Sequence, residues 1–196
     1  GLIGVGECMT RLAPKALQAI GEEIAPVLRG KDPRDTEVRW ELMYGTMMNR
    51  GHSRGFFIEA VSGIDIALWD VTGKAYGVPV YQLLGGKQRD RIAAYASSLR
   101  FRGLETTLDT ARTFVERGFR AMKIKIGQNP FDPSDDLSLV KAIRKEVGDR
   151  ITLMVDVNCG YHADVGTALR VGRQLEALDI AWYEEPLSPE HVDGYQ

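Results

Sequence analysis

From residue 92 onward the chain alternates strand-like and helix-like segments, and few folds accept that rhythm. Residues 92–97, 120–126, 151–157 and 180–184 read as strands, separated by amphipathic helices over 105–117, 135–147 and 164–178. A β-α-β-α-β-α-β order predicts parallel strands joined by helical crossovers. The first half reads differently. Apolar residues recur at helical spacing over 14–28, 36–48 and 59–75, after a glycine-rich, strand-like opening over residues 1–9. Gly85-Gly86-Lys87 marks the boundary between the two patterns. The helices are expected to start at Asp or Thr and to end near Gly, with Gly118 and Gly148 closing two of them.

The second predicted strand, Ala121-Met122-Lys123-Ile124-Lys125-Ile126, spends two central positions on lysine. Strand side chains alternate, so Met122, Ile124 and Ile126 share one face and Lys123 and Lys125 the other. A lone Lys-x-Lys is best explained by a solvated face. The downstream strand ends alter that reading. Sites of parallel α/β folds lie at the carboxyl ends of the strands, and there the next strands place Asp156, Asn158 and Glu184. Period-two alternation directs these three and both lysines to one side. Asp156 and Glu184 are hard oxygen ligands of the kind Mg²⁺ takes. The lysines are then counter-ions or a proton-transferring base. A salt-bridge network that only fills the interior is the competing explanation, and a poor route to stability. The first strand is read as ending Tyr95-Ala96-Ser97-Ser98.

Composition narrows the partners. A net charge of −2 gives no electrostatic footprint for nucleic acid or an anionic membrane, and no apolar run approaches the roughly 20 residues of a bilayer span. Cys8 and Cys159 have no metal-ligand spacing, and a reduced, cytoplasmic setting is the simple reading. Asp65 and Asp70 are expected to hydrogen-bond between helices. Residues 49–55 read as a solvated loop, with His52 and Arg54 as weaker candidates for holding a polar substrate.

In order and spacing, Lys123-Ile124-Lys125, Asp156-Val157-Asn158 and Glu184-Glu185-Pro186 resemble the mandelate racemase group of the enolase superfamily. The segment from Ser62 to Asp70, with Gly73-Lys74, Gly77-Val78-Pro79 and Leu83-Leu84-Gly85-Gly86, resembles that group's capping-domain signature. The resemblance implies an α/β protein: an α+β capping domain over residues 1–88, its start missing. The first half of a modified (β/α) TIM-type barrel would follow over 89–196. It implies Asp156 and Glu184 as Mg²⁺ ligands, and Lys125 as the acid/base at the carbon α to a carboxylate. Lys123 would neutralise that carboxylate, and Asn158 and Ser97 would contact substrate. The implied reaction is α-proton abstraction through a stabilised ene-diolate. The substrate would be a small carboxylate, with a sugar-acid dehydratase favoured over a racemase, epimerase or cycloisomerase. A non-catalytic relative of the fold is the reading from another class. A homo-oligomer is implied, and residues 7–13 are expected to form a loop closing over the site.

The family's third metal ligand and its opposite acid/base belong to later strands. The 196 residues on their own are therefore expected to be inactive and poorly folded, since half a barrel leaves strand edges open. A monodisperse preparation of this chain with Mg²⁺-dependent turnover would overturn that expectation.

Overall fold

A computed structural model describes the chain except Arg11, Pro130, Phe131 and the side chain of Ser98. It divides into two compact units, Gly1–Asp90 and Arg91–Gln196. No helix is long and apolar enough to cross a membrane among the described residues.

The first unit is built on three helices, α1 (Pro14–Leu28), α2 (Thr36–Gly45) and α3 (Phe56–Tyr76), followed by the short α4 (Val80–Leu83). Pro14 opens α1, where its missing N–H costs nothing. Ile24, Met43, Phe57 and Val61 close the core, one apolar stripe from each of the three helices. The segment Gly1–Met9 forms no strand, contrary to its strand-like sequence. A strand needs a partner's ladder, and among the described residues none lies beside it. The segment instead packs along α3. Val5 N–H donates to Asp70 Oδ2 at 2.7 Å and Lys74 Nζ donates to the Ile3 carbonyl at 2.8 Å. Asp70 thus ties the N-terminal segment to its helix rather than joining two helices. The contact is close enough to require glycine. A Cβ on Gly6 would sit 1.9 Å from the Gly63 carbonyl oxygen, and one on Gly63 would sit 2.2 Å from Cys8 Sγ. Both cysteines are free thiols. Of the expected closing loop, Arg11 lies outside the described residues.

The second unit is a parallel four-stranded sheet in sequence order, β1 (Ala96–Arg100), β2 (Ala121–Lys125), β3 (Thr152–Asp156) and β4 (Ile180–Glu184). Helices α5 (Leu104–Glu116), α6 (Ser134–Val147) and α7 (Val165–Glu176) make the crossovers. The register pairs Met122 with Leu153 and Ile124 with Val155. These four side chains are fully buried, in one cluster with Ala111, Val140, Ile143 and Val171 from the helices. Each intervening residue therefore faces the other side of the sheet, and Lys123 pairs with Met154 as Lys125 pairs with Asp156.

Two expectations change. The first strand runs over Ala96–Arg100 instead of 92–97, because Ala96 and Leu99 are its buried residues, with a bulge between them. Side-chain capping by Asp occurs at α7, where Asp164 accepts from Thr167 N–H, while α2 and α5 begin without a side-chain cap.

Truncating Ile124 to alanine should cost about 2–5 kcal/mol, as a cavity in a closed core does. Gly63→Ala should cost about 1–3 kcal/mol by forcing the N-terminal segment off α3. Thermal melts of both variants would check this, and an unchanged midpoint for Gly63→Ala would contradict the packing described.

Candidate active site

The inner face of the sheet gathers charge at its carboxyl-terminal rim. Lys123 Nζ donates to both oxygens of Glu184 at 2.7 Å and stands 3.4 Å from Asp156 Oδ2. Lys125 Nζ pairs with the same Asp156 oxygen and donates to Asn158 Oδ1 at 2.9 Å. Asp156 Oδ1 accepts from the Asn158 N–H at 2.9 Å. Two ammonium groups thus interleave with two carboxylates across three neighbouring strands. The register produces this arrangement, since Asp156 is opposite Lys125 on one side and Glu184 on the other.

The cluster is largely withdrawn from water. Lys123 is 7% exposed and Asp156 1%. Burial works against the Lys123 ammonium, but its hydrogen bonds to Glu184 and the charges of Glu184 and Asp156 outweigh it and raise its pKa. Burial likewise opposes ionisation of Asp156. The Lys125 hydrogen bond, the Asn158 N–H and both lysine charges prevail and hold its carboxyl below the usual value.

Two aromatic side chains complete the surroundings of Lys123, and sequence reading missed both. The Tyr95 ring centroid lies 5.6 Å from Nζ, and Trp182 Nε1 donates to Glu184 Oε2 at 3.1 Å. Tyr95 and Trp182 also meet edge to face, with centroids 5.5 Å apart. Trp182 lies two residues before Glu184, a period-two signal that would have placed it on this face. Tyr95 shared the period-two face of Ser97 in the expected strand, but in the structure it precedes β1. Ser97 does not join the cluster. The end of β1 falls at Arg100, which pairs with Lys125, and Ser97 is an exposed residue further back along the strand. The polar Ser97-Ser98 pair misplaced that strand end. His52 and Arg54 belong to the first unit, as does the 7–13 stretch.

The backbone turns sharply just past the acidic residues. Asn158, Cys159 and Glu185 all adopt positive φ, at 50°, 61° and 46°. The Cys159 N–H donates to the Glu185 carbonyl at 2.7 Å, which locks the two turns together. Left-handed non-glycine residues of this kind concentrate at sites whose surroundings hold them in place.

The donor set suits a hard divalent cation. Asp156 and Glu184 already converge on one positive charge, the Lys123 ammonium, so the pair accommodates a cation between neighbouring strands. Among the described residues no third His, Cys, Asp or Glu joins them. Mg²⁺ is commonly held by one or two carboxylates, with water and substrate completing its shell.

Comparison with known families settles the lineage. Residues 106–196 match the family described as enolase C-terminal domain-like, and residues 1–85 match the mandelate racemase / muconate lactonizing enzyme N-terminal domain. The chain belongs to the enolase superfamily. Within it, the mandelate racemase and muconate lactonizing enzyme group is the one matched, and the fold is that group's capping domain with part of its barrel. The chain is 40% identical to D-galactarolactone cycloisomerase of Agrobacterium fabrum, over all of the chain and 50% of the relative. It is 36% identical to arabinonate dehydratase of Saccharolobus solfataricus, over 98% of the chain and 51% of that protein. Among solved structures, 3,6-anhydro-D-galactonate cycloisomerase of Zobellia galactanivorans superposes with a TM-score of 0.88 at 36% identity, over 98% of this chain and 52% of that one. A mutant L-talarate/galactarate dehydratase liganded with Mg and L-glucarate superposes at 0.86 with 34% identity, over 97% and 48%. The chain spans about half the length of these relatives.

Replacing Asp156 with asparagine should cost roughly 3 kcal/mol, the lower end for a broken buried pair, because Glu184 and Asn158 still serve the lysines. The pH dependence has a definite sign. A lowered carboxyl pKa stabilises the fold above the ordinary value of 3.8, and that stability is lost as pH falls through the lower folded-state value. Unfolding midpoints measured from neutral to acid pH should therefore drop more steeply for the wild type than for Asp156→Asn.

Proposed function

We propose that this protein abstracts the α-proton of a sugar-acid carboxylate in an Mg²⁺-dependent lyase or isomerase reaction, with dehydration as the leading outcome. One observation carries the reading: Lys123 and Lys125 share the strand-end rim with Asp156 and Glu184 in one ion-paired cluster, with Lys123 and Asp156 buried.

Asp156 and Glu184 would hold the metal. Bound Mg²⁺ would supply fixed positive charge to offset the second negative charge that builds as the α-proton leaves. The chain's own residues do the rest. Lys125 removes or returns the proton, its stem directed along the inner face by β2 and its ammonium steadied by Asp156 and Asn158. For that role it must give up a proton, which its contact with Asp156 opposes; a metal held by Asp156 would compete for that carboxylate. Lys123 supplies a second cation to the substrate carboxylate and keeps its own proton, in line with its raised pKa. The Tyr95 ring lies against that cation, and Trp182 steadies its partner Glu184. Asn158 offers an amide to a substrate hydroxyl or carboxylate.

The dehydratase reading draws support from relatives named arabinonate dehydratase and L-talarate/galactarate dehydratase, each 36% identical. A cycloisomerase is the second reading, favoured by the 40% identical galactarolactone cycloisomerase. Both begin with the same proton transfer at Lys125, as would racemisation. They differ in what leaves or attacks on the opposite side of the substrate. A non-catalytic relative would be expected to have lost one of these charged residues, and all are present.

Solvent deuterium should enter the α-position of galactarate, galactonate or arabinonate in the presence of Mg²⁺, and EDTA should stop it. Lys125→Ala should lower the exchange rate by about 10²–10⁴, the usual contribution of a positioned acid/base. Exchange measured by NMR that survives Lys125→Ala would reject this assignment. Formation of a 2-keto-3-deoxy acid, against conversion of a lactone without loss of water, separates dehydratase from cycloisomerase.

A further inference from the structure

Lys125 is the last residue of β2, and the chain turns two residues later. That turn is anchored by a residue no part of the reaction uses. Asp136, in the first turn of α6, is 7% exposed, and its Oδ2 accepts the Gly127 N–H at 2.8 Å. The Gln128 N–H also favours the ionised form of the same carboxylate. Among the described residues Asp136 has no ion-pair partner. A buried carboxylate without a cation is costly unless its hydrogen bonds are met, and here both come from one turn. The positive end of α6 adds support for the negative charge. Burial pushes the carboxyl pKa up, against the two N–H groups.

The anchored turn is also wedged against the next strand. Gly127 has φ 84°, and a Cβ there would lie 2.6 Å from the Val157 carbonyl oxygen. A Cβ on Gly160 would lie 2.7 Å from the Gly127 carbonyl oxygen. The turn after Lys125 and the loop that carries Asn158 are therefore interlocked backbone to backbone. Lys125 itself bonds to Asn158 across the same junction. Fixing Gly127 fixes both ends of that bond.

We propose that Asp136 is the positioning residue for Lys125: its carboxylate clamps the Gly127-Gln128 turn and so holds the end of β2, with the Asn158 loop, in one place. Lysine has a long flexible stem with substantial rotamer freedom. A base on such a stem reaches one proton reproducibly only if its Cα and its ammonium partner are both held. The clamp holds them from the first turn of α6, through the backbone rather than through the lysine itself.

The proposal rests on Lys125 acting as the base, and its test separates the two claims. Asp136→Asn keeps an oxygen acceptor and the side-chain shape; Asp136→Ala keeps neither. Three readouts apply to the protein with Mg²⁺: hydrogen exchange of the Gly127 and Gln128 amides, labelling of each lysine by an N-hydroxysuccinimide ester followed by mass spectrometry, and turnover of galactarate or arabinonate. For Asp136→Ala we expect exchange at those two amides to rise at least tenfold and Lys125 labelling to change several-fold. Labelling of the surface lysines, such as Lys31 and Lys141, should stay constant. kcat should fall ten- to a hundredfold with KM within about threefold, and Asp136→Asn should recover most of each loss. If Asp136→Ala melts globally, Asp136→Asn decides, with the same changes expected in smaller size. Loosened amides with unchanged Lys125 labelling would make Asp136 a loop anchor only and overturn the proposal. So would a loss confined to KM. If the wild type, prepared at the full length of its relatives, turns over no sugar acid, the functional reading fails, while exchange and labelling still decide whether Asp136 positions Lys125.

Discussion

The Lys123 ammonium, held between Glu184 and Asp156 on the inner face of the sheet, is the interaction on which the second unit depends. Three charges drawn out of water are not in themselves a source of stability, and a well-packed apolar trio would serve the fold as well or better. What the trio imposes is geometry. Its carboxylates come from consecutive strands, so their approach to a single cation requires β3 and β4 to lie side by side in this register. A slip of one residue would turn Asp156 into the helix layer and Val155 into the charged cluster. The apolar face enforces the same register from the other side, through Met122, Ile124, Leu153 and Val155. Charge and packing agree on one alignment.

That agreement gives the site its chemical character. The rim holds both signs of charge within bonding distance, in surroundings where the field of each is weakly screened. Asp156 serves two lysines through one oxygen and orients Asn158 through the other. Such a cluster is poised: a divalent cation between the carboxylates would release the ammonium groups from ion pairs they now satisfy. Membership of the enolase superfamily and likeness to sugar-acid dehydratases and cycloisomerases fit a site of this composition. Around it, positive-φ turns at Asn158, Cys159 and Glu185 keep the chain from continuing past the charged residues.

The first unit follows a different logic. Its helices need no special residues beyond an apolar stripe each, and most of its specificity lies in one close approach. Gly6 and Gly63 allow the N-terminal segment to lie on α3, while Asp70 and Lys74 take up backbone groups that would otherwise lack a ladder. A segment that looks like a strand is thereby held by a helix.

Much of this was legible in the amino-acid order. Alternation of apolar runs with amphipathic stretches specified the parallel sheet and its crossovers, because period 2 and period 3.6 are local properties of the chain. The same local period placed Lys123, Lys125, Asp156 and Glu184 on one face. Their order and spacing were enough to suggest the family. Other features depend on residues far apart in the chain, and no local period reports them. The end of β1 was set by which residues its neighbours bury, so Arg100, and not Ser97, came level with Lys125. Tyr95 met Lys123 from the segment before β1, a contact between neighbouring parts of the sheet. Asp136 looked like one more acidic residue at a helix start until folding brought the Gly127 turn onto it. Sequence by itself determined which chemistry the rim would carry, since side-chain type and period are written residue by residue. Only the tertiary structure decided how that chemistry is held, because the carboxylate, the turn and the neighbouring loop meet through packing between elements.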